Sequence, residues 1–167
     1  MDMQVYIANL GKYNEGELVG AWLWFAPPID ESEVAEHIGL NGEYEEYAIH
    51  DYELPFEIGE YCSIDEINRM CEAVESIQDE NIRDNMQAII DYFGFSGVED
   101  LADKQDDISF LCGDSLEDLA YVLVEDGYFG EIPETISGYI DYAAIARDME
   151  IDGYYMEINS GIIEYRG

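Results

Sequence analysis

Positive charge is what this chain has least of. Its 6 Lys and Arg and 2 His stand against 40 Asp and Glu in 167 residues, so the formal net charge is −34. A surface this negative repels nucleic acid phosphates and the anionic face of a membrane alike, which excludes both as direct partners and points to a basic surface. Long apolar runs are also missing. The longest, Leu18 to Phe25 followed by Ala26-Pro27-Pro28-Ile29, is too short to cross a bilayer, and the opening residues lack the positive start of a secretory signal, so a cytoplasmic protein is expected. Cysteine is scarce: Cys62, Cys71 and Cys112 are odd in number, form no C-x-x-C pair and lie far from either His. Neither a disulfide framework nor a zinc site is indicated, and buried free thiols are expected. No calcium loop, P-loop or G-x-G-x-x-G occurs, so no metal and no cofactor are expected.

What is present argues for a folded chain. Extreme acidity accompanies disorder when aromatics are few, whereas 48% of these residues are hydrophobic and 14 Tyr, 6 Phe and 2 Trp are among them. The charge is not gathered in a tail. Residues 1–61 hold 14 acids and 1 base, residues 62–103 hold 11 and 2, and residues 104–167 hold 15 and 3, leaving −13, −9 and −12. Every element therefore carries part of the excess.

The hydrophobic pattern divides the chain at the same places. Residues 4–10, 18–25 and 46–53 read as strands rich in β-branched and aromatic residues. Between the last two, Asp30 with Glu33 opens a short helix that buries Val34 and Ile38 and stops at Gly39. From residue 62 the period changes: Ser63 and Glu66 form a capping box ahead of Ile64, Ile67, Cys71, Val74 and Ile77 at helical spacing. A second helix carries Ile82, Met86, Ile89, Ile90 and Phe93 and ends near Gly94, and a third, opened by Ser96 and Glu99, carries Val98, Leu101 and Ala102. The last segment reads as a strand at Ile108–Cys112, a helix from Ser115 to Gly127, a helical turn at Pro133, a helix over Ile140–Met149, and a hairpin whose arms flank Asn159-Ser160-Gly161. The fold class is α+β: an N-terminal domain (1–61) and a C-terminal domain (104–167), each with a small antiparallel sheet, are expected to flank a helical middle domain (62–103).

No catalytic arrangement emerges, and an enzyme is not expected. Gly113-Asp114-Ser115-Leu116 matches a short serine esterase signature, but a serine nucleophile needs a base, and the only histidines, His37 and His50, lie upstream. Ser115 is read as a helix N-cap. His50 and Asp51 are adjacent in a strand and should point to opposite faces. Carboxylate pairs carry no information when acids number 40, because many arise by chance.

The collective excess does carry information. Asp65, Glu72, Glu75, Asp79, Glu80 and Asp84 sit on helical faces with too few bases for i,i+4 pairs, so they repel one another and destabilise the helices that hold them. Fixed, uncompensated carboxylates make sense if something basic meets them. The candidates are those six, with Glu31, Glu33, Glu36, Glu43, Glu45 and Glu46 before them. After them come Asp91, Glu99, Asp100, Asp103, Asp106 and Asp107, then Asp114, Glu117, Asp118, Glu125 and Asp126. Duplex DNA carries one charge per about 1.7 Å, so 34 charges equal roughly 58 Å of duplex. A compact globule of this length has a radius of gyration of about 15 Å, so matching phosphate density favours an elongated shape.

Three stretches then resemble a known family. VYIANLGKYNEGELVGAW (residues 5–22) and EYEEYAIHDYELPF (43–56) are similar to the N-terminal portion of the ArdA antirestriction proteins, and GEIPETISGYIDYAAIARDM (130–149) resembles that family's antirestriction motif. The resemblance implies a curved, elongated, three-domain homodimer that imitates bent B-form DNA and occupies the DNA groove of type I restriction–modification enzymes, shielding incoming foreign DNA such as mobile genetic elements. It places the dimer contact near the motif, with Tyr128, Phe129, Ile132, Tyr139, Ile140 and Tyr142 as candidates; core packing is the alternative for each. Two other readings of the acidity stand beside it. A salt-adapted protein would unfold at low salt and show a catalytic constellation, and an acidic chaperone or shield for other basic DNA-binding proteins would concentrate its charge in one tract.

Overall fold

In the computed structural model, which describes residues 2–167, the chain forms two compact units. The first comprises the chain up to Gln78 together with Ser96–Ala102; the second comprises Asp79–Phe95 with Asp103–Gly167. The fold is α+β as expected, with an antiparallel three-stranded sheet in each unit and a helical middle stretch whose helices are shared between them.

The first sheet contains β1 (Gln4–Asn9), β2 (Gly20–Trp24) and β3 (Tyr47–Glu53) in the order β2-β1-β3. In β1, Val5 and Ile7 are buried while Gln4 and Tyr6 are half-exposed, the two-residue period of a strand with one covered face. The expected strand over 4–10 stops one residue early because Asn9, fully buried, turns the chain into α1 (Leu10–Asn14), a helix the pattern did not suggest. Its side-chain oxygen accepts from the Lys12 amide at 3.0 Å, and its Nδ2 donates to the carbonyls of Ile38 and Gly39 at 3.2 and 3.3 Å. One side chain thus caps α1 and ties β1 to the end of α2 (Glu31–Ile38), which packs on β1 and β2. Asp30 caps α2 by accepting from the Glu33 amide at 2.8 Å, and Gly39 ends it at φ 69°, a left-handed position that favours glycine.

β3 departs from simple alternation. Tyr6 pairs with Asp51 and Ile7 with Ile49, so His50 is the extra residue of a β-bulge. Ala48 and Ile49 are consecutively buried, and His50 and Asp51 consecutively exposed, so the expected separation of these two onto opposite faces gives way to the bulge. α3 (Ile64–Ser76) has its capping box: Glu66 accepts from the Ser63 amide at 3.0 Å, and the Ser63 hydroxyl oxygen accepts from the Glu66 amide at 3.2 Å. Its stripe of Ile64, Ile67, Cys71, Val74 and Ile77 is buried, each of the larger side chains contributing about 1.5–3 kcal/mol. The Asn68 side chain holds Ile29 through both backbone groups, at 3.1 and 2.7 Å.

In the second unit, the single helix expected from Ile82 to Phe93 is two. α4 (Glu80–Asp84) and α5 (Met86–Phe93) meet at Asn85, whose φ of −113° breaks the helical run. α6 (Val98–Asp103) falls largely in the first unit; Ser96 donates from its amide and hydroxyl to Asp100, at 3.0 and 3.2 Å, rather than pairing with Glu99. After a 3-10 turn at Gln105–Asp107 come β4 (Ile108–Leu111), α7 (Leu116–Glu125), α8 (Glu134–Ser137), α9 (Tyr142–Asp152), β5 (Tyr155–Ile158) and β6 (Gly161–Tyr165), with sheet order β4-β6-β5. The helix expected over Ile140–Met149 starts later because Asp141 caps it, accepting from the Ala144 amide at 2.9 Å, and runs on to Gly153. The hairpin turn is Asn159-Ser160 alone. Gly161 opens β6 opposite Ile158, where an added Cβ would lie 2.6 Å from the Leu111 carbonyl. Leu116, Leu119, Ala120, Met149, Tyr155 and Ile162 form the core between α7, α9 and this sheet.

Candidate acidic interface

None of the 40 carboxylate side chains is buried. Only Asp79, Asp100 and Glu164 are half-buried; the other 37 are exposed. Lys12 pairs with Glu17 at 3.4 Å, Arg69 with Glu99 at 3.3 Å and Arg166 with Glu164 at 2.5 Å. Even if each of the 6 Lys and Arg neutralised one acid, 34 would stand without a cation.

The candidate carboxylates separate by what holds them. Asp79 caps α4 by accepting from the Asn81 amide at 2.8 Å, Asp118 accepts from the Ser115 hydroxyl at 2.8 Å, Asp91 accepts from Gln87 at 3.0 Å, Glu99 faces Arg69, and Asp100 receives Ser96. These are partly committed to the fold. Glu31, Glu33 and Glu36 project from α2, and Glu43, Glu45 and Glu46 from the loop beyond it, all exposed. Asp65, Glu72 and Glu75 lie along the exposed side of α3 with Glu80 and Asp84 on α4, and Asp103, Asp106, Asp107, Asp114, Glu117, Glu125 and Asp126 are exposed in and around α6, the 3-10 turn and α7.

Position along each helix decides what these charges cost. Acids in the first turn, such as Glu31, Asp65, Glu80, Glu99 and Glu117, meet the positive end of the helix dipole and stabilise it. Glu75 on α3, Asp91 on α5 and Glu125 on α7 lie toward the negative ends of helices with no basic residue in their last turns, each costing about 0.3–1 kcal/mol. α9 adds Asp148, Glu150 and Asp152 in the same unfavourable setting, exposed acids that the candidate set lacked; only the even spread of charge over the third segment hinted at them.

Titration follows local bonding. The Ser32 hydroxyl and the Glu33 amide hold the Asp30 carboxyl below its ordinary value, and the Ser63 amide does the same for Glu66. A hydrogen bond to Glu15 raises the Tyr44 phenol, and Glu60 raises that of Tyr61. Burial pushes the Cys71 thiol up to about 12, with Glu75 adding to it, and raises Cys62. The expectation of three buried thiols holds for Cys71 alone: Cys62 is half-buried beside Glu66, and Cys112 is exposed just past β4, where the chain leaves the sheet.

The six candidates for self-contact lie outside the buried core. Tyr128, Phe129 and Tyr139 are exposed, Tyr139 at 88%, and Ile132, Ile140 and Tyr142 are half-buried. The rings of Tyr128 and Phe129 meet edge to face at 5.3 Å, and those of Tyr121 and Tyr142 lie at 5.3 Å. Arg166 sits over the Tyr128 ring at 5.8 Å and donates to the hydroxyls of Tyr128 and Tyr155 at 3.2 and 2.9 Å, so the polar end of this apolar patch is pinned. Ile136 and Ile151 are also exposed, at 53% and 81%. The Ser115 hydroxyl is engaged with Asp118 as a helix cap rather than with a base. Among the described residues no group of three or more His, Cys, Asp or Glu is placed to hold a metal ion, and no helix is long and apolar enough to cross a membrane.

The chain folds around apolar cores and leaves no carboxylate buried. The sequence profile of the antirestriction protein (ArdA) family matches residues 5–164. The chain belongs to this family of antirestriction proteins. No individually curated protein matches it.

Proposed function

We propose that this antirestriction protein is a DNA mimic that occupies the DNA-binding groove of type I restriction–modification enzymes and so protects incoming foreign DNA. The observation that carries the reading is the exposure of the acids on a structured scaffold: 37 of 40 carboxylates are exposed and none is buried, and six of them, on α3, α5, α7 and α9, sit where helix dipoles disfavour them. Lys and Arg that would neutralise phosphates meet Asp and Glu instead, counterions leave both partners, and no base is read, so inhibition is indifferent to recognition sequence. The purified protein is expected to displace a fluorescent oligonucleotide from a type I methyltransferase at low salt, with an apparent affinity that falls steeply as salt rises. Oligonucleotide binding unchanged at excess protein sinks the proposal.

The exposure of Tyr128, Phe129 and Tyr139 supports a second element of the reading, a homodimer formed through the C-terminal region. Large aromatics at this exposure on a highly charged chain fit a self-complementary contact. Tyr139→Asp is expected to convert a two-chain mass in light scattering to that of one chain; an unchanged mass removes this face from the contact.

A further inference from the structure

The solvent face of the first sheet has an order that acidity alone does not require. Tyr6 pairs with Trp22 on one side and Asp51 on the other, and Gln4 pairs with Trp24 and with Glu53. Residues directly opposite one another in antiparallel strands share a face. Two parallel rows therefore cross the sheet, each running from an indole on edge strand β2, through a polar residue on β1, to a carboxylate on β3. Strand spacing puts neighbours about 4.8 Å apart within a row, and the two rows lie about 7 Å apart along the strands.

The aromatic side of this face is built and held. Gly20 has no side chain, and a Cβ there would lie 2.8 Å from the Tyr6 hydroxyl oxygen, so the phenol lies across β2. Trp22 meets Tyr6 edge to face at 5.6 Å, the bulged His50 lies 6.4 Å from Tyr6, and Tyr13 of α1 closes on His50 at 4.8 Å. Yet Trp22 and Trp24 remain 40% and 51% exposed, while Leu23 between them is buried on the other face. Gln4 donates to Glu53, and the Tyr52 amide donates to Asp51 at 2.9 Å; both carboxylates keep acceptor capacity beyond these bonds.

We propose that this open sheet face reads arginine: guanidinium groups of the basic partner stack on Trp22, Tyr6 and Trp24 while Asp51 and Glu53 accept their N–H groups. The commitment to a cationic protein segment rests on charge complementarity, since residues 1–61 carry −13 and any anionic occupant is repelled. The commitment to Arg over Lys rests on geometry: a planar guanidinium can stack on a ring and hydrogen-bond through its edge at once, and an ammonium cannot. The inference deepens the reading of the chain as a ligand for a basic groove, by giving that reading a contact phosphate mimicry does not need.

The test uses the full chain and fluorescently labelled octa-arginine and octa-lysine peptides of equal charge, followed by anisotropy. Both Trp of the chain lie on this face, so emission excited at wavelengths that its 14 Tyr do not absorb reports it alone. Octa-arginine is expected to quench that emission and to bind roughly fivefold tighter than octa-lysine. The double variant W22A/W24A is expected to bring octa-arginine down to the octa-lysine affinity, W22F/W24F to restore most of the preference, and D51N/E53Q to weaken octa-arginine more than D148N/E150Q on α9 does. Equal affinity for the two peptides overturns the proposal, as does a preference that survives W22A/W24A. A smaller mass for W22A/W24A than for wild type also overturns it, because the face is then covered by a second copy of the chain. The arginine preference is measured without any restriction enzyme, so it can stand if oligonucleotide displacement fails, and the reverse outcome leaves displacement standing without this contact.

Discussion

Asn9 shows how much of the first unit depends on one side chain. It is the buried polar residue of that unit's core, and each of its polar side-chain atoms is used, by the Lys12 amide and by the carbonyls of Ile38 and Gly39. Asn9→Ala leaves those groups unpaired in a dry place and removes a helix cap, so a loss of about 2 kcal/mol is expected in denaturant unfolding. A loss below about 0.5 kcal/mol contradicts the role assigned to it. Nothing in the linear pattern marks Asn9, which sits in an apolar strand run and reads as part of it. Its importance comes from Gly39, thirty residues away, brought alongside by the fold. Asp30, Ser63, Ser115 and Gly39 were legible because caps and stops act on amides and carbonyls within a few residues of the side chain itself.

At the scale of elements, the capping box of α3 ties stability to pH with a definite sign. The Ser63 amide holds the folded Glu66 carboxyl below its ordinary value of 4.5. The contribution is therefore fully present above pH 4.5 and is lost as pH falls through the lowered folded value. Glu66→Gln keeps an acceptor for Ser63 but cannot titrate. The thermal midpoint of wild type is expected to exceed that of Glu66→Gln at pH 7, with the gap closing on acidification below pH 4.5; a gap constant from pH 7 to pH 3 contradicts the assignment. Elements with strong local signals, such as α2, α3 and α7, appear where the apolar spacing and caps place them. The misreadings fall where a local turn competes with the pattern: α1 after β1, the break at Asn85, and the bulge at His50. In each case the decision rests on a residue whose partner or backbone angle the periodicity does not encode.

For the whole molecule the dominant energetic fact is self-repulsion. With 40 acids at the surface and 6 Lys and Arg to offset them, folding brings like charges closer than they lie in the unfolded chain. Raising salt from 0.1 M to 1 M shortens the screening length from about 10 Å to about 3 Å, and the thermal midpoint is expected to rise by roughly 5 °C over that range. A midpoint that stays flat or falls shows that the carboxylates are compensated in some other way. Under the proposed function, salt acts in opposite senses on stability and on binding to a basic partner, and both measurements report the same charges. By itself the sequence determined the net charge, its even spread and most of the helices, because composition and short-range hydrogen bonding are properties of the chain as written. Only the tertiary structure decided that every carboxylate stays at the surface, that Cys112 is exposed, and that two tryptophans share one sheet face with two carboxylates. Those facts depend on strand register and on contacts between residues far apart in sequence, and neither exists until the chain has folded.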